Sequence, residues 1–174
     1  IQVSFFPSNN FMELKLTGMQ GDVMKESMNV SKTIAWNLTS REKQEELIKY
    51  FESTKNQGIH IHCPEGAVPK DGPSAGTAIT IAIYSLLNNK KIRNDFAITG
   101  EINLQKNVTI IGGLDLKFLG GINAGIKTFL FPTENLFDYK LFMEKYENDK
   151  IIDGIVFKEV SKVEEALKEF LIDE

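Results

Sequence analysis

The chain holds a single cysteine, Cys63, in 174 residues. One thiol excludes an intrachain disulfide and makes a reducing, intracellular setting the default. Histidine is almost as scarce. His60 and His62 are the only two, so any imidazole chemistry has to come from that one short segment. Arginine stops at Arg41 and Arg93, the other basic residues are lysines, and the formal net charge is −4. That balance excludes the strongly cationic face of a nucleic-acid binder and offers no attraction to anionic lipid. Long apolar runs are missing too. The longest, residues 75–87, is interrupted by Thr77, Thr80 and Ser85. It falls short of the roughly 20 residues that a membrane-crossing helix needs. No signal peptide is visible, but the first residue is Ile1 and not methionine, so residues 1–174 read as one domain cut from a longer protein.

What is present suffices for a core. With 42% hydrophobic and 25% charged residues, the chain has the mixture of an ordinary globular domain that needs neither disulfide nor metal. Residues 1–6 alternate weakly and end on Pro7-Ser8-Asn9-Asn10, and residues 11–16 alternate again, which predicts a hairpin. The spacing of Val23, Met24, Ser27, Met28 and Ser31 predicts a helix from Gly21 to about Asn37, with a second, more charged helix over 41–51. A strand at 59–62 leads into a Gly- and Pro-rich loop, 64–73, and then into a helix over 74–87 that is apolar nearly all round and therefore buried. Strands are expected at 96–103, 107–111, 128–131 and 154–160, and helices at 114–124, 135–146 and 161–171. Ser161 would cap the last helix, with Glu164 completing a capping box. Strands and helices mixed in this way predict an α+β fold, a single compact domain whose small mixed sheets are covered by helices.

Ser74 is the first candidate for chemistry. A turn carrying Gly72 and Pro73 delivers it to the start of the buried helix, where free backbone N–H groups and the helix dipole favour negative charge. An acyl-transfer oxyanion needs that environment. Two plainer uses stay open: a serine N-cap, and a loop that cradles phosphate, although no GxxxxGK[ST] string occurs. A serine nucleophile needs a base. His60 and His62 share one strand face, and a zinc site there lacks a third ligand because Cys63 points the other way. Lysine serves if burial strips its proton. Lys117 stands among Leu114, Phe118 and Leu119, but a solvated helix lysine fits the same pattern.

Longer strings add a resemblance. The segment from His60 to Gly76, with PKDGPSAG at its end, resembles the nucleophile motif of Lon proteases. TGEI from Thr99 and IGGLDLK from Ile111 to Lys117 resemble two further blocks of that family, as do the segments from Gly21 to Ser27 and from Gly125 to Asn135. The resemblance implies a serine endopeptidase acting on unfolded or damaged polypeptides through a Ser–Lys dyad and an acyl-enzyme. Ser74 would be the nucleophile, Lys117 the general base, and backbone amides around Gly72 and Ser74 the oxyanion hole. Thr99 would position the lysine amine, and His60 and His62 would support the site. Asp71 matches an acidic position that pairs with the lysine in closed, inactive relatives. The implied fold is that of the second domain of a small-subunit ribosomal protein, and the implied assembly is a homohexamer. No metal or cofactor is implied for this domain; ATP and Mg belong to an ATPase module outside it. Asp115 departs from the family pattern, standing where many members carry lysine, and a carboxylate there would favour a protonated Lys117. A phosphate-loop small-molecule kinase and a catalytically silent assembly module are the alternatives.

Overall fold

A helix with no polar face has to be covered on every side, and that requirement organises the chain. The structure, a computed structural model, describes residues 1–172. Helix α3 (Gly76–Asn88) carries buried residues all round, among them Ile79, Ile81, Ile83 and Leu87. Helix α1 (Asp22–Leu38) crosses it closely. The contact is tight because Gly76 lacks a side chain: a Cβ there would sit 2.8 Å from Ser27 Oγ. Ser31 Oγ donates to the Gly76 carbonyl at 2.9 Å, which satisfies both groups inside the interface.

Two sheets complete the cover. On one side lie β1 (Gln2–Phe6), β2 (Leu14–Thr17) and β3 (Gly58–His62), in the order β1-β3-β2. Ile59 and Ile61 point inward to meet Met28, Ile79 and Ile83. The expected hairpin between the first two strands does not form. The most buried strand of this sheet, β3, takes the centre, antiparallel to β1 and parallel to β2. The segment after β1 is tied to the approach to β3 instead, through Ser8 N to Lys55 O and Met12 N to Gln57 O. A parallel β2–β3 pair needs a long crossover; α1 and α2 (Arg41–Thr54) provide it.

The second sheet is parallel throughout: β4 (Phe96–Ile98), β7 (Thr128–Pro132) and β8 (Val156–Val160), in the order β4-β7-β8. All five residues of β7 are buried, as expected for a central strand covered on both faces. Leu130 faces Ile81 of α3, with Val163 and Phe170 of α6 (Val163–Phe170) in the same core. Phe129 and Phe131 face α4 (Leu114–Asn123) and α5 (Leu136–Tyr146) on the other side. The strand expected over 96–103 is broken at Thr99-Gly100. Its second half, β5 (Glu101–Ile102), leaves the sheet to pair with β6 (Val108–Thr109). The α+β class with helices over small sheets is therefore what forms.

The closing helix starts later than expected. Val108 N donates to Ser161 O, and Asn107 bridges Lys162, so strand-like pairing extends through both residues and Lys162 becomes the N-cap. The carboxylate that reaches back is accordingly Glu165 and not Glu164: it accepts from Ser161 N at 2.9 Å and from Ser161 Oγ at 3.0 Å. Glu164 pairs with Lys106 at 3.3 Å. The Ser161 backbone N–H, helped by its hydroxyl, holds the Glu165 carboxyl below the ordinary carboxylate range. A depressed folded-state pKa contributes stability above the unfolded value, near 4.3 for glutamate, and loses it as pH falls through the folded value. Glu165→Gln should therefore melt earlier than the unaltered protein at neutral pH, with the gap closing in acid. Thermal unfolding at about pH 7 and about pH 3 reads this; an equal gap at both would refute it.

Candidate active site

The loop from the end of β3 to Ser74 is fastened at both ends. Asp71 Oδ1 accepts from Met24 N at 2.9 Å, so this carboxylate caps α1, whose own cap residue, Gly21, offers no side chain. Beyond the loop, the Ser74 carbonyl accepts from Gly100 N at 2.9 Å and from Thr99 Oγ1 at 3.3 Å. The Gly100 carbonyl accepts in return from Thr77 N at 3.1 Å and Thr77 Oγ1 at 2.9 Å. The break in the strand at Gly100 thus locks the start of α3 to the edge of the parallel sheet. Only glycine fits: a Cβ at Gly100 would lie 2.4 Å from Val108 Cγ1.

Ser74 precedes Ala75, the cap residue of α3, and no side chain caps that helix. The simple N-cap reading therefore fails, because the hydroxyl is turned elsewhere. Lys117 Nζ donates to Ser74 Oγ at 3.2 Å, across 43 positions of sequence. Lys117 lies in the first turn of α4, which starts from Gly113 in the left-handed region with φ 67°. The next residue, Phe118, is 1% exposed and sits among Phe129, Phe131, Phe142 and Phe157, with ring centroids 4.7 to 5.8 Å away. Buried Asn135 braces the approach to α4: its side chain accepts from Ile111 N at 3.0 Å and donates to Ile111 O at 2.8 Å.

A pocket of about 310 Å³ opens beside the pair, and Ser74, Thr99 and Lys117 are its only polar side chains among the described residues. The remainder is small or apolar, including Ala78, Ala97, Ile98, Gly121 and Phe129. Gly72 has φ 143°, and a Cβ built on it would meet nothing within 4 Å, so open space adjoins its backbone. Among the described residues, the amides of Gly72 and Ser74 have no hydrogen-bond acceptor. Free backbone amides next to a serine hydroxyl are the kind of donor that an oxyanion requires.

Several expectations need correcting. Lys117 is exposed, not buried. Leu114 and Phe118 turn into the aromatic core and leave the amine at its rim, so the chain alone does not desolvate it. Asp115 does not reach Lys117. Residues two apart on a helix point to different faces, and Asp115 lines a separate groove with Asp138 and Lys145. Thr99 lines the pocket with Lys117; its hydroxyl donates to the Ser74 carbonyl, and its oxygen keeps acceptor capacity toward the pocket. His60 Nε2 and His62 Nδ1 converge on Thr17 Oγ1 at 2.9 and 2.8 Å and do not line the pocket. No group of three His, Cys, Asp or Glu is placed to hold a metal ion among the described residues. The contributions of Gly100, Thr77 and Asn135 were not foreseen. A glycine inside an otherwise apolar strand pattern is the one local signal that marks such a close approach.

A serine hydroxyl and a lysine amine in contact, beside an apolar pocket and unoccupied amides, form the layout that serine–lysine hydrolases require. Comparison with known proteins agrees with that class. The family model described as the Lon protease (S16) C-terminal proteolytic domain matches residues 1–173, and the chain belongs to this family. The Lon protease of Fusobacterium nucleatum is 42% identical over 153 residues, which is 87% of this chain and 19% of that protein. That of Buchnera aphidicola is 41% identical over 156 residues, 90% of this chain and 19% of that protein. A mitochondrial Lon protease homolog of Phaeodactylum tricornutum is 44% identical over 126 residues, 72% of this chain and 14% of that protein. The chain thus spans about a fifth of the length of the first two relatives.

The lock at Gly100 yields a stability test. Gly100→Ala should destabilise the fold by about 1–3 kcal/mol, as overpacking does, because Val108 is buried and β-branched and has no room to yield. Gly112→Ala, whose added carbon meets nothing within 4 Å, serves as control. Denaturant unfolding of both variants reads the difference, and equal midpoints would refute the lock.

Proposed function

We propose that this chain is the peptide-bond-hydrolysing part of a longer ATP-dependent protease acting on unfolded or damaged polypeptides. The observation that carries this reading is the 3.2 Å contact between Ser74 Oγ and Lys117 Nζ. In its neutral form the Lys117 amine accepts the Ser74 proton as Oγ attacks the scissile carbonyl carbon. The Gly72 and Ser74 amides stabilise the oxygen that takes up the negative charge. Collapse of the tetrahedral intermediate breaks the C–N bond; the leaving amine takes its proton from Lys117 and an acyl-enzyme remains. Water, deprotonated by Lys117, then releases the acid and restores Ser74.

The pocket bears on the substrate. Its apolar walls adjoin Ser74 and suit an apolar side chain next to the scissile bond. The exposed amine bears on the assembly. A substrate laid over the pocket, or a neighbouring copy, would shield the amine from water, which fits a homohexamer. ATP and Mg serve the ATPase module of the longer chain, and the proteolytic domain itself uses no metal. No helix among the described residues is long and apolar enough to cross a membrane, and the proposed setting is the cytoplasm or the mitochondrial matrix. The phosphate-loop kinase has no support here, since the loop serine faces a lysine and the family is a proteolytic one.

Hydrolysis of a fluorogenic peptide and of unfolded casein by the full-length protein, with ATP and magnesium, tests the reading. Ser74→Ala and Lys117→Ala should each lower turnover by at least ~1,000-fold with unchanged melting temperature. Turnover retained in Ser74→Ala would overturn the proposal.

A further inference from the structure

Lys70 stands four positions before Ser74 and has no part in the chemistry above. Its ammonium nevertheless donates to three backbone carbonyls: Glu65 O at 2.8 Å, Val68 O at 2.9 Å and Gly18 O at 3.3 Å. An ammonium has three N–H bonds, so its donor capacity is filled without any carboxylate. The carbonyls come from two chain segments, and the turns that aim them are unusual. Gly18 has φ 105°, Met19 φ 52° and Glu65 φ 63°, all in the left-handed region that non-glycine residues avoid. Carbonyl dipoles turned toward one point repel one another unless a cation lies between them.

The backbone of Lys70 extends the same tie. Its N–H donates to Met19 O at 2.9 Å, and its carbonyl accepts from Gly21 N at 2.7 Å. Asp71 continues it by capping α1. Packing contributes little to this loop, because every residue from 64 to 69 is exposed. Polar contacts centred on one ammonium thus hold a segment that no buried side chain anchors, and Gly72 and Ser74, with their unoccupied amides, follow directly.

We propose that Lys70 is a positioning residue that holds the nucleophile loop so that the Gly72 and Ser74 amides face the developing oxyanion. The proposal rests on the serine–lysine hydrolase reading. A misplaced oxyanion donor lowers the chemical step and leaves substrate binding largely intact, because the amides strengthen their contacts only in the transition state. Methionine keeps an unbranched stem out to the ε position and loses the ammonium with its donors. Arginine keeps the charge, but its planar fork meets three converging carbonyls less well.

The test uses the full-length protein with a fluorogenic peptide, ATP and magnesium, and compares Lys70→Met, Lys70→Arg and Ser74→Ala. Lys70→Met should lower kcat about 10- to 100-fold with KM within about twofold. Lys70→Arg should recover part of that loss. Glu65→Gly, which keeps the carbonyl and relieves the left-handed turn, should stay within about twofold of the unaltered kcat. Melting temperatures separate mispositioning from unfolding; if the methionine variant fails to fold, the kcat and KM of the arginine variant decide. Lys70 variants that are folded and turn over at the unaltered kcat, or that raise KM alone, would overturn the proposal. Activity surviving in Ser74→Ala would instead overturn the reading beneath it, so the two failures are distinct.

Discussion

The burial of α3 on all sides is the constraint from which the rest follows. A helix with Ile79, Ile81, Ile83 and Leu87 turned in different directions cannot lie on a single sheet and leave one flank in water. It is sandwiched between an open three-stranded sheet and a parallel one, with α1 across it. Its N-terminus then emerges at the seam between the sheets, next to the end of β4. The exchange of hydrogen bonds between residues 74–77 and Gly100 closes that seam. Ser74 is held there because the backbone on both sides of it is committed.

Lys117 and Ser74 are held by different means. Lys117 rides on α4, and α4 is anchored by Phe118 among four other phenylalanine rings. That is dispersion and apolar burial, which resists local opening. Ser74 depends on one side on α3 and on the other on a loop whose residues 64–69 are all exposed, tied down by Lys70 and Asp71 through hydrogen bonds. Such a loop belongs to the less stable end of a structure. The site thus joins a rigid helix that carries the amine to a loop whose geometry depends on charge–dipole contacts. The amine itself lies at the rim of the aromatic core, open to water.

Much of this was legible in the sequence where the signal is local. The apolar run after Ser74 announces a buried helix, and helices and strands alternate as the periodicity indicates. Ser74 and Lys117 are singled out by the strings around them, and the structure brings them together. Departures arise wherever a partner distant in sequence decides. The first two strands alternate alike, so local pattern pairs them with each other; β3, which buries Gly58, Ile59 and Ile61, displaces that pairing by taking the centre of the sheet. Ser161 looks like a cap until Val108 draws it into strand pairing. Asp115 looks like a neighbour of Lys117 until the helix turns it to another groove.

The sequence by itself determined which residues are apolar, at what spacing, and which strings surround the serine and the lysine; these establish the element types, the α+β class and the family. Only the tertiary structure decided that Thr99 bonds to the Ser74 carbonyl, that the histidines converge on Thr17 away from the pocket, that Lys117 is exposed and that Lys70 gathers three carbonyls. The physical reason is that hydrogen bonding and exposure depend on distances between atoms that folding brings together across tens of residues. Periodicity reports only the face on which a side chain leaves its own helix or strand.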